Sequence, residues 1–174
     1  MMSSARIDER NEDIRKKHHE RSKEFILKNL TDLLNSHERM IIAEISYAHR
    51  DFISIEKVEK IKTIRHPQLG DVNIRVRFLA SLLRFADACD LCHTRTSEEF
   101  TNLSKISEES LFYHNLNERI SGIYFNQENK SIELSINIKS EDEKEICKRF
   151  IIDKLRECFH TVRDEFIRND ILYV

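Results

Sequence analysis

The sequence predicts a mainly α domain with one C-terminal β-hairpin, and three observations carry that prediction. Only two Gly and one Pro occur in 174 residues, too few for the tight turns of a sandwich or the glycine-rich loops of a dinucleotide-binding sheet. Charged residues make up 34% of the chain and apolar residues 40%, the mix expected of amphipathic helices with charged outer faces. Apolar side chains recur at helical spacing over long stretches, whereas clean alternation is confined to Ser131–Ile138.

Met1–Asn11 is polar and carries no element signal. A helix is expected from about Glu12 to Asn35, with Ile14, His18, Ser22, Phe25, Ile26, Leu30 and Leu33 along its inner side. Ser36 is placed to cap a second helix, from about His37 to Arg50, whose stripe is Ile41, Ile42, Ile45 and Ala48 and ends in His49. Asp51–Val72 is the least regular stretch. It breaks at His66-Pro67 and Gly70, so a short helix and then an extended loop are expected. A third helix should run from about Asn73 to Leu91, with Val76, Ala80, Leu83 and Asp87 on one stripe and Leu79, Ala86 and Asp90 beside it.

After Thr94 a polar connector covers Ser97–Lys105. Ser107 with Glu108 and Glu109 signals a short helix to about Asn117. Ile120–Phe125 and Ser131–Ile138 read as the two strands of a hairpin, the second alternating through Ile132, Leu134, Ile136 and Ile138. A last helix is expected from about Glu141 to Arg168, with Ile146, Phe150, Ile151, Leu155, Phe159, Val162 and Phe166 inside. The expected division is residues 1–104, a helical domain, and 105–174, a helix, hairpin and long helix packed on it.

Composition excludes several function classes. Net charge is −2 with both signs mixed along the chain, so no basic footprint for nucleic acid is present. No apolar run approaches membrane-spanning length, and the N-terminal residues are polar rather than signal-like. A cytoplasmic protein with its four cysteines reduced is expected. Cys89, Cys92 and His93 spell the C-x-x-C-H of covalent haem attachment. Without an export signal no haem is expected there, and Cys147 and Cys158 lack the spacing of a second zinc-ligand pair. No phosphate-cradling glycine loop occurs.

What remains is polar chemistry on apolar faces. His18 and His19 lie beside the first stripe, His49 closes the second, and Asp87 continues the third. A carboxylate on a core-facing stripe needs a partner, and Arg84, one turn back, would serve as an ordinary ion pair. Imidazole and carboxylate together are also the ligand set of Mn, Fe, Ni or Zn, with Mg reachable through carboxylate and water.

The same segments resemble a known family. LLRFADACD (Leu82–Asp90) is similar to the LLRLADALD signature near the last metal ligand of HD-superfamily phosphohydrolase domains. HHERSKEFI (His18–Ile26) resembles the segment that follows the His-Asp doublet in several subgroups. These include the exopolyphosphatase/guanosine-pentaphosphatase proteins and the HD domains of bacterial ATPase-linked chains. IAEISYAHRD (Ile42–Asp51) resembles the next helix, which ends in a histidine.

The resemblance implies an HD-type helical fold and a divalent metal held by His19 (or its neighbour His18), His49 and Asp87. It also implies a nucleotide or polyphosphate substrate, with Arg84 and Arg95 facing phosphate. The His-Asp doublet itself is absent from Met1–Lys17. The expectation is therefore the later part of a metal-dependent phosphohydrolase domain that lacks its first helices and is not catalytic alone. The alternative is a degenerate, non-catalytic HD-like module that binds a partner protein. An upstream HD segment, a partner chain or a homodimer would then cover the face left by the missing helices.

Overall fold

The computed structural model describes residues 17–50, 53–66, 68–91, 108–126, 128–129 and 131–170. It is mostly helical with two small antiparallel strand pairs. The expectations for Met1–Asn11, for the connector Ser97–Lys105 and for Ser107 fall outside the described residues. By packing, the described chain divides into two units. One gathers residues 17–87 and 157–170, the other 88–91 and 108–156.

The first unit begins with α1, His18–Asn29. Glu20 lies at its positive N-terminal end and Lys28 near its C-terminus, which suits the helix dipole. The expected continuation to residue 35 does not occur. The chain turns at Leu30, which accepts from the Leu34 amide at 3.1 Å, and Leu33 is left 79% exposed. The reason is a stronger local signal just beyond. Asn35, not Ser36, caps α2 (Ser36–Tyr47), accepting from the His37 and Glu38 amides at 3.0 Å each. The Glu38 carboxylate accepts in return from the Asn35 amide at 2.9 Å, which completes a capping box.

A 3₁₀ turn at Ile55–Lys57 leads into a hairpin, β1 (Lys62–His66) and β2 (Gly70–Ile74), where sequence reading expects an extended loop. Lys62, Ile64 and His66 on one strand, and Val72 and Ile74 on the other, alternate inward. That period of two is legible in the sequence but short. Gly70, with φ of 73°, supplies the left-handed residue at the turn.

Helix α3, Val76–Cys89, packs with this layer, and its buried face is only in part the one expected. Val76, Ala80, Ser81 and Arg84 are buried, while Leu79, Leu82, Leu83, Ala86 and Asp87 are exposed. The core is Ile41, Ala48, Ile55, Val58, Val76 and Ala80, flanked by Ile45, Ile53, Ile64 and Ile74. The C-terminal part of the last helix closes this unit through aromatic edges. Phe85 meets Phe159 and Phe166 at 5.7 Å each, the latter edge-on.

The second unit holds α4 (Glu108–Asn117) and the hairpin β3 (Ile120–Asn126) with β4 (Ser131–Ile136), close to expectation. α5 (Glu141–Cys147) is capped by the Ser140 hydroxyl, which accepts from the Glu143 amide. The expected single α-helix is interrupted. A π-helical turn at Lys148–Ile152 joins α5 to α6, Asp153–Arg168. An added residue per turn rotates the phase of what precedes it. Cys147 is accordingly buried, and Ile146, expected inside, is exposed. The core of this unit is Leu116, Ile120, Cys147 and Ile151.

Candidate functional site

Two helix ends bring histidines together in the first unit. His18 and His19 open α1, and His49 follows the C-terminal end of α2, whose last carbonyls lack intrahelical donors. The His18 and His49 Nε2 atoms lie 2.9 Å apart. His49 Nδ1 donates to the Ser46 carbonyl, which can only accept. That contact puts the proton of a neutral His49 on Nδ1 and leaves its Nε2 as a lone pair, toward which His18 donates. A backbone carbonyl holding Nδ1–H is also the usual support of a metal-ligating imidazole.

His19 lies about 100° further round the helix from His18 and is buried, with its ring 5.2 Å from that of Tyr47. Burial lowers its pKa from the ordinary value of 6.5, an effect opposed by Glu20 and reinforced by His18, Arg50 and His49. Lys23 sits over the other partner, 4.6 Å from the Tyr47 ring centroid.

Asp87 is exposed near the C-terminal end of α3. Among the described residues, no three His, Cys, Asp or Glu side chains are grouped as a metal site requires. The structure thus pairs His18 with His49 and does not bring Asp87 to them. The metal set implied by the resemblance fits in part: two imidazoles meet, fewer than the three protein donors of a catalytic zinc centre.

The sequence leads one to expect Arg84 to face phosphate or Asp87; it is 3% exposed inside the unit instead. Its Nε donates to the His49 carbonyl at 3.2 Å. Its Nη2 reaches the carbonyls of Ala48, Arg50 and Ile53 at 2.7, 2.6 and 2.5 Å. These carbonyls lie around and beyond the end of α2, that of Arg50 also accepting from the Ile53 amide at 3.2 Å, and a cation there also meets the negative end of the helix dipole. Arg84 therefore fixes the backbone that carries His49. The signal was present in the sequence, since Arg84 continues the stripe Val76–Ala80 at four-residue steps. Arg95, with Cys92 and His93, lies outside the described residues.

Arg77 does the same work about two turns earlier. Its Nε and Nη2 donate to the carbonyls of Val58 and Glu56 at 2.8 and 2.7 Å. Glu165, also buried, pairs with Arg168 at 2.6 Å and with Arg77 at 3.7 Å. A cavity of about 270 Å³ opens beside them, lined by Ile55, Arg84, His160, Asp164, Glu165 and Arg168 among others. Its walls mix both signs of charge, which selects no single class of ligand.

No helix among the described residues is long and apolar enough to cross a membrane. A family model described as HD-CE matches residues 3–167. No curated protein and no solved structure matches the chain.

Proposed function

The chain belongs to the HD-CE family, an HD-type domain, and from that premise we propose a module of metal-dependent phosphohydrolase lineage that does not hydrolyse substrate by itself. The match runs from residue 3 through the hairpin to residue 167, so it takes in most of both units. The observation that carries the proposal is the His18–His49 pair, two Nε2 atoms at 2.9 Å with Asp87 apart from them. In this reading the pair is a half-site for Zn, Ni, Mn or Fe, and any further donors come from outside the described residues or from another chain. A metal so completed would act on a nucleotide or polyphosphate. With two donors, no hydrolytic step is assigned to these residues.

Titration of the metal-free chain with Zn²⁺ or Ni²⁺, followed by calorimetry, tests this. Expected is weak binding of one ion per chain, reduced about tenfold or more by His49→Ala or His18→Ala and unchanged by Asp87→Ala. Phosphate release from nucleotides or polyphosphate should stay at the blank rate. Absence of binding, or binding indifferent to both histidines, would overturn the half-site. The non-catalytic reading, a helical module that binds a partner protein, is favoured by Arg84, whose Nε and Nη2 are held by the protein's own carbonyls.

A further inference from the structure

The two hairpins close on the same side-chain device with one chemical difference. In each, the last residue of the first strand accepts, through its side chain, from the amides two and three residues ahead. Asn126 ends β3, and its Oδ1 accepts from the Glu128 and Asn129 amides at 3.0 and 3.2 Å. His66 ends β1, and its Nδ1 accepts from the Gln68 and Leu69 amides at 3.2 Å each. Such an acceptor stands in for a backbone carbonyl in a tight turn. The side-chain oxygen of an asparagine accepts whatever the acidity. An imidazole accepts only while neutral, with its proton on the other nitrogen, whereas the imidazolium has two donors and no acceptor.

We propose that the β1–β2 turn is an acid-operated latch, closed by neutral His66 and released when its ring is protonated, while the β3–β4 turn stays closed. Both bonds of the latch are lost together, because one nitrogen accepts both amides and its new proton would face two N–H groups. The charged groups of the elements around His66 are engaged or turned elsewhere. Arg65 and Asp71 stand opposite each other in the ladder, on the exposed face that alternation sets away from His66. Lys62 shares the His66 side of β1 but lies about 13 Å along the strand. It is held there by Glu44 of α2 and by Glu59 at 3.5 Å. Release is confined to the tip. The strands stay joined by their ladder, by Thr63 Oγ1 donating to Asn73 Oδ1 at 2.7 Å, and by Ile64 and Ile74 packed on the core. Acidity then sets whether the tip is ordered and leaves the core of the unit untouched.

Amide exchange of the full, metal-free chain tests this, followed by NMR from about pH 8 to about pH 5 and expressed relative to an unstructured peptide at each pH. Protection of the Gln68 and Leu69 amides is expected to fall about tenfold across that range, while that of Glu128 and Asn129 holds. His66→Asn should keep Gln68 and Leu69 protected at both ends, because a side-chain oxygen then replaces Nδ1. Asn126→His should transfer the acid sensitivity to Glu128 and Asn129. Both positions lie at turns, so the helical circular dichroism should not change. Should Asn126→His fail to fold, His66→Asn decides by itself. Protection at Gln68 and Leu69 that is constant with pH overturns the proposal. So does a fall that persists in His66→Asn, or one that Glu128 and Asn129 share in the wild type.

Discussion

A guanidinium on an apolar helix stripe is tolerated only where its donors meet acceptors, and Arg84 meets four carbonyls around the end of α2. Arg84→Met would keep the packing and take the guanidinium donors away from those carbonyls. A loss of about 3 kcal/mol is expected, read as a lower urea midpoint with the slope unchanged. Arg84→Lys should recover only part, since a point charge cannot reproduce the fork. Cys147 makes a second prediction. Burial raises its thiol pKa from 9.0, Glu143 adds to the rise, and Arg119 opposes it. The folded protein then holds this proton longer than the unfolded chain. Its contribution is complete below pH 9 and is lost as pH climbs through the raised value. Wild type should therefore lose more stability than Cys147→Ala between pH 8 and 10. Equal losses would show that the buried thiol does not titrate with unfolding.

At the scale of elements, local signals beat periodicity where the two compete. The apolar spacing through Leu30 and Leu33 invites α1 to continue, but the Asn35–Glu38 capping box starts α2 and leaves Leu33 in solvent. Asn35→Ala should cost about 1 kcal/mol and fray the first turn of α2, seen as faster amide exchange at His37 and Glu38. An unchanged midpoint would mean that tertiary packing alone sets this boundary. The hairpin β1–β2 is not legible in the sequence for the opposite reason. Its strands are five residues each, and Ile64, Val72 and Ile74 are too few to outweigh the surrounding charge in a window long enough to judge. The later hairpin has a clean run from Ile132 to Ile136 and is legible in the sequence, although β4 ends at Ile136, short of the expected Ile138. The π turn at Lys148–Ile152 leaves no mark in apolar spacing at all, because it shifts phase by one residue without breaking the helix.

For the whole molecule, the sequence determined the helical class, the order of the main helices, the later hairpin and the HD-type character that the family match bears out. It also singled out His18, His19 and His49 as polar residues on helix faces. Which of the adjacent pair meets His49 was decided by the crossing of α1 and α2, since neighbours on a helix point about 100° apart and His18 takes the position. The rotation of α3 was likewise a tertiary decision. Val76 and Ala80 on one side and Leu79, Leu82 and Leu83 on the other are both apolar, so hydrophobic spacing fits either orientation. The carbonyls around the end of α2 break that tie. They require the donors of Arg84, which turn α3 so that Arg84 is inside with Val76 and Ala80 while Leu79 and Leu82 are outside.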